Sequence, residues 1–126
     1  MKPIDLLIVD DSAAIRKILQ RVLQQTELPL REIFEASDGQ QALDILRSNQ
    51  VNVILSDINM PNMDGIAFLK EVRGLPDYKN VPVIMITTEG SPARVKEAAD
   101  LGATSYVRKP FTTDQLRDKL RAMLSA

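Results

Sequence analysis

Five short strand-like runs alternate with helical stretches along this chain, and three of the runs are apolar almost without interruption. The candidates are Asp5–Val9, Glu32–Ala36, Val53–Ser56, Val83–Thr87 and Thr104–Val107. A strand with one wet face alternates polar and apolar residues, whereas a strand covered on both faces need not. The first, third and fourth runs are of the covered kind. The second, Glu32-Ile33-Phe34-Glu35-Ala36, alternates, and the fifth is mixed, as suits sheet edges. Strand–helix alternation specifies a parallel sheet. Central strands one, three and four with edge strands two and five give the order 2-1-3-4-5. The expected fold is therefore α/β, a doubly wound five-stranded parallel sheet flanked by five helices. With 126 residues, the chain supports one core, and residues 1–126 are read as one domain.

The helices carry their own punctuation. Ile15, Ile18, Leu19, Val22 and Leu23 recur at helical spacing after Ser12, and Ala42, Leu43, Ile45 and Leu46 follow Asp38-Gly39. Asp64 caps a helix carrying Ile66, Phe68, Leu69 and Val72, which Gly74 ends. Ser91-Pro92 reads as an N-cap with proline in the first turn, and Gly102 closes that helix. Thr112 and Gln115 form a capping box ahead of Leu116, Leu120, Met123 and Leu124. The fourth helix has the smallest apolar set, Val95, Ala98, Ala99 and Leu101, and is expected to be the most mobile.

The chemistry sits where the strands end. Asp10 and Asp11 follow the first run, Asp57 the third and Lys109 the fifth, while Thr87 closes the fourth. In a parallel sheet all of these gather at the carboxyl edge, and the strand order reverses between strands one and three, where such sheets bind ligands. The chain has no cysteine and no histidine. Any metal must then be held by oxygens, which favours Mg²⁺, Ca²⁺ or Mn²⁺ over zinc. A net charge of −1 argues against a nucleic-acid partner. No apolar stretch is long enough to cross a bilayer and the N-terminus lacks a signal-peptide pattern, so a cytoplasmic protein without a membrane partner is expected.

An aspartate beside a lysine and two further carboxylates suits phosphoryl transfer. Asp57 is the candidate nucleophile, giving an acyl phosphate. Donor and carboxylate repel each other, so a cation must bridge them. Asp11 and Asp57 are placed to bind Mg²⁺ directly and Asp10 through water. Lys109 neutralises a phosphoryl oxygen, and the Thr87 hydroxyl donates to another.

These residues resemble the receiver domains of two-component response regulators. The pattern is Val9-Asp10-Asp11-Ser12, Asp57-Ile58-Asn59-Met60-Pro61-Asn62-Met63-Asp64-Gly65, Ile86-Thr87-Thr88, Tyr106 and Lys109-Pro110-Phe111, and it spans essentially the whole chain. The resemblance implies a flavodoxin/CheY-like fold with Asp57 as phosphoacceptor. It implies Mg²⁺ held by Asp10, Asp11, Asp57 and the backbone carbonyl of Asn59, and a phosphoryl group bound by Lys109 and Thr87. It also implies Thr87 and Tyr106 as switch residues, a cis Lys109–Pro110 bond, and a partner-binding face on the fourth helix, fifth strand and fifth helix. The loop after Asp57, with Glu89 near Thr87, looks most like the chemotaxis branch. Asn59 and Glu89 then tune the lifetime of the phosphoryl group, which is expected to be short. Thr88 departs from the smaller residue common in the family, which is expected to slow donor access or hinder the inward turn of Tyr106.

The expected activity is a phosphoacceptor switch with autodephosphorylation rather than an enzyme acting on external substrates. Its expected partners are a sensor histidine kinase as donor and a protein target, the flagellar motor switch protein in the chemotaxis reading. A phosphate shuttle or sink, or a regulator of another two-component pathway, fits the same motif. A Mg²⁺-dependent phosphatase working through an aspartyl phosphate typically has a second acid two residues after its nucleophile, where this chain has Asn59. An unphosphorylated scaffold needs none of the five site residues. Fewer than twenty residues follow Lys109, so no output domain is expected, and the resemblance to single-domain receivers implies a monomer. The stretch from Ser91 to Ala126 carries seven basic and four acidic residues, a local +3 against −4 elsewhere.

Overall fold

A computed structural model describes residues 3–88 and 92–124. The elements run β1 (Ile4–Val9), α1 (Ala13–Gln25), β2 (Leu30–Ala36), α2 (Gly39–Ser48), β3 (Val53–Ser56), α3 (Gly65–Gly74), a short 3-10 turn (Pro76–Tyr78), β4 (Val83–Thr87), α4 (Pro92–Asp100), β5 (Ser105–Arg108) and α5 (Thr113–Leu124). The five strands form one sheet in the order β2-β1-β3-β4-β5, every pair parallel. This is the topology expected from the apolar runs. Every residue of β1, β3 and β4 is buried, while β2 and β5 each bury one.

Four strand limits differ from the sequence reading: β1 starts at Ile4, β2 at Leu30, and β5 is shifted by one residue at both ends. β2 begins at Leu30 because Leu30 pairs with Ile4, with a register irregularity between Ile4 and Asp5. β5 spans Ser105–Arg108 because Thr104 serves as its lead-in: its N–H donates to the Val83 carbonyl at 2.8 Å and its Oγ1 accepts from the Val83 N–H at 3.1 Å.

Consecutive strand residues face opposite sides of a sheet, and this divides the core in two. Leu7, Val9, Ile54, Val83 and Met85 pack with Leu43 and Leu46 of α2 and with Phe68, Leu69 and Val72 of α3. Leu6, Ile8, Val53, Leu55, Ile84 and Ile86 pack with Leu19 and Leu23 of α1 and with Leu116 and Leu120 of α5. Each such side chain contributes about 1.5–3 kcal/mol when fully buried.

The caps fall where the sequence put them. Ser12 Oγ accepts from the Ile15 N–H, Asp38 Oδ1 from Gln41 and Asp64 Oδ1 from Ala67. Thr112 and Gln115 exchange both hydrogen bonds of a capping box, at 2.9 and 3.1 Å. Helix α4 closes on Gly102 at φ +101°. The Gly102 N–H bonds to Ala99 and the Ala103 N–H to Ala98, the paired bonds of a left-handed helix stop. Of α4 only Ala98 is fully buried, in keeping with its small apolar set. The proposed Ser91 cap lies outside the described residues.

Candidate functional site

The register of the sheet builds the site. Val9 lies opposite Ser56, so Asp10 and Asp57 leave adjacent strands at one level. Thr87 lies opposite Arg108, so Lys109 leaves β5 one residue beyond it. The Asp57 N–H donates to the Val9 carbonyl at 3.0 Å and the Lys109 N–H to the Thr87 carbonyl at 2.9 Å, continuing the ladder past the strand ends. The Lys109–Pro110 bond is cis, as expected.

Lys109 Nζ lies 3.1 Å from Asp10 Oδ2 and 3.6 Å from Asp57 Oδ2. Asp10 is buried, Asp57 half-buried and Asp11 exposed, and one carboxylate oxygen from each lies within 4.8 Å of the others. Burial of a charge is costly unless it is paired, and Lys109 supplies the pairing here. Asp10 Oδ1 accepts from the Ser12 N–H at 2.9 Å, and Asp57 Oδ1 accepts from the Ile58 N–H at 2.7 Å. Each carboxylate thus keeps an oxygen directed at the shared space. Thr87 is fully buried at the end of β4 beside it.

The loop after Asp57 is tightly folded against the site. The Gly65 N–H donates to the Ile58 carbonyl at 2.7 Å. A Cβ on Gly65 would sit 2.0 Å from the Asp57 carbonyl oxygen and 2.7 Å from the Ile58 Cα, so only glycine fits. Asn62, at φ +68°, forms a three-residue turn in which the Met63 N–H reaches the Pro61 carbonyl. Met60 is buried and Met63 packs over Gly39, which makes both packing residues. Asp64 also accepts from Arg94 of α4, at 3.2 Å. Burial pulls the Asp64 carboxyl upward, but the Ala67 N–H and the Arg94 guanidinium outweigh it and leave it below the usual carboxylate range.

Three carboxylates converging with no nitrogen or sulfur donor match a hard divalent cation such as Mg²⁺, which prefers oxygen and retains waters. The donor set therefore fits the expected metal, with Asp11 its exposed member.

The model of the response regulator receiver domain matches residues 6–121. The chain belongs to the response regulator receiver family. It is 42% identical over 120 residues to a chemotaxis protein CheY homolog of Campylobacter jejuni, covering 94% of this chain and 91% of that one. Its structure matches chemotaxis protein CheY4 of Vibrio cholerae with a TM-score of 0.88 at 38% identity, over 98% of this chain and all of the other. The Mn²⁺-bound form of response regulator Rcp1 matches with a TM-score of 0.80 at 28% identity, over 98% and 93%. Receiver domains are signalling switches that bind Mg²⁺ in an acidic pocket, and here Asp10, Asp11 and Asp57 come together.

Asn59 is exposed next to Asp57, and its N–H points at Asp57 Oδ1 from 3.4 Å. Tyr106 is half-buried on β5 against the α2–α3 side of the core. Glu89 lies outside the described residues. Thr88 is exposed and lines a mostly apolar cavity of about 380 Å³ with Ile15, Ile18, Lys109, Pro110 and Phe111. Among the described residues no helix is long and apolar enough to cross a membrane.

Sequence reasoning missed two supports. Ser56 Oγ donates to the Asp57 carbonyl at 2.9 Å. Arg16 Nη1 donates to the Asp10 carbonyl at 2.6 Å. Arg16 stands one helical turn after Ser12, and that spacing from the first strand end was its only signal.

Proposed function

We propose that this receiver takes a phosphoryl group from a phosphohistidine of a sensor kinase onto Asp57 and then changes its affinity for a protein target. The observation that carries this reading is the lysine ammonium poised 3.1 Å from Asp10 and 3.6 Å from Asp57 at the carboxyl edge of the sheet. In the transfer the P–N bond of the donor breaks as a P–O bond to the Asp57 carboxylate forms, and the ring, already protonated on its other nitrogen, leaves as neutral imidazole. Lys109 binds a phosphoryl oxygen, and the Thr87 hydroxyl accompanies it. Asp10, Asp11, Asp57 and the Asn59 carbonyl hold Mg²⁺, which when bound offsets the negative charge of donor and acceptor. The apolar cavity formed by Ile15, Ile18, Pro110 and Phe111 offers a donor protein a contact surface directly beside Lys109.

Output runs through the face of α4, β5 and α5, with Thr87 and Tyr106 as the moving residues. A chemotaxis role, with the flagellar motor switch protein as target, is supported by the CheY relatives at about 40% identity. Asn59 and Glu89 set a short aspartyl-phosphate lifetime by helping to place the attacking water.

Incubation with Mg²⁺ and acetyl phosphate followed by intact-mass measurement tests the reading. A gain of about 80 Da, one phosphoryl group, is expected in the wild type. It should be lost without metal and in Asp57→Asn. No gain in rapid-quench samples would remove the phosphoacceptor reading.

A further inference from the structure

Asp11 is the least supported member of the acidic pocket. It is exposed, and among the described residues none donates a hydrogen bond to its carboxylate. Its direction is therefore set by its backbone, and Asp10, the residue before it, is held at both its N–H and its carbonyl. The Asp10 N–H donates to the Ala36 carbonyl at 3.1 Å, which fixes the residue to β2. The Asp10 carbonyl, which belongs to the Asp10–Asp11 peptide, accepts Arg16 Nη1 at 2.6 Å. The guanidinium is itself anchored: Arg16 Nε donates to Glu35 Oε1 at 3.0 Å, and Gln20 Nε2 holds Glu35 Oε2 at 2.8 Å. The Arg16 side chain is only 17% exposed.

We infer that Arg16 is a positioning residue for the metal pocket: by clamping the Asp10–Asp11 peptide plane it aims the Asp11 carboxylate at the cation. Glu35 and Gln20 keep the planar guanidinium in the orientation the clamp needs, a two-sided geometry that suits arginine better than lysine. Partners behind metal ligands typically matter for affinity because they fix ligand direction. The inference rests on Asp10, Asp11 and Asp57 holding Mg²⁺.

The sign of the effect separates positioning from charge. Arg16 is a cation near a cation site, so by Coulomb's law its removal should tighten divalent binding. Loss of positioning should weaken it. The test is calorimetric titration of Mg²⁺ alone into wild type, Arg16→Met and Arg16→Lys, with thermal melts in chelator confirming that each variant is folded at the titration temperature. We expect Arg16→Met to bind Mg²⁺ about tenfold more weakly, in the range seen for partners behind metal ligands. Arg16→Lys, whose charge is unchanged, should fall between. A folded Arg16→Met that binds as tightly as wild type, or more tightly, overturns the inference. If Arg16→Met does not fold, wild-type affinity in Arg16→Lys overturns it equally. Wild type without Mg²⁺ affinity would overturn both this inference and the metal assignment, whereas wild type that binds alongside an unchanged variant removes the positioning role alone.

Discussion

At the scale of single residues, the pocket depends on an atom that is missing. Gly65 has no Cβ, and that absence lets the helix α3 entry lie against the Asp57 carbonyl. Gly65→Ala forces backbone apart, since the obstructing atoms are main chain and cannot rotate away. We expect a loss of about 1–3 kcal/mol, the usual cost of overpacking, together with reduced phosphorylation of Asp57, read by urea melts and intact mass. A second residue-scale prediction concerns the opposite end of β1. Asp5 is buried and takes two hydrogen bonds from the Arg31 guanidinium, which hold its carboxyl below the ordinary aspartate value of 3.8. A depressed carboxyl contributes stability above the unfolded-state pKa and loses it as pH falls through the folded-state value. Wild type should therefore exceed Arg31→Met in stability at pH values above 3.8. The gap should close as the pH is lowered below that point, in denaturant melts taken across the range.

Among the elements, the helices were legible because their signals are local. Ser12, Asp38, Asp64 and the Thr112–Gln115 box each bond within three residues, and the Gly102 stop closes within five. The stop predicts a clear outcome. Gly102→Ala places a side chain at φ +101° with its Cβ 2.9 Å from Arg73 Nε. Arg73 is tied to the Tyr78 and Gly102 carbonyls, so its displacement adds to a backbone cost of about 1–2 kcal/mol, measurable as a lowered Tm. The strand limits were less legible. Where β2 starts is decided by Leu30 finding Ile4, and where β5 starts by Thr104 finding Val83; neither partner is near in sequence. Helix α4 combines a single fully buried residue with the Arg94–Asp64 pair that ties it to the start of α3.

Over the whole molecule, the sheet separates two cores that share only backbone. Leu43 belongs to one and Leu120 to the other. Each Leu→Ala change should cost about 2–5 kcal/mol. The double variant should equal the sum within about 0.5 kcal/mol, as for sites with no shared partners; a larger coupling in urea melts would show that the sheet transmits strain between its faces. The sequence by itself determined the sheet order, because burial on both faces writes itself as an unbroken apolar run and burial on one face does not. It also placed Asp10, Asp57, Thr87 and Lys109 at one edge, since each follows a strand in a parallel sheet. What only the tertiary structure decided is how those residues are held. Arg16 meets the Asp10 carbonyl from α1, Ser56 turns its hydroxyl to the Asp57 carbonyl, and Gly65 presses on the same oxygen. Such supports depend on where the chain's own backbone carbonyls arrive, and a carbonyl leaves no mark in the sequence of side chains.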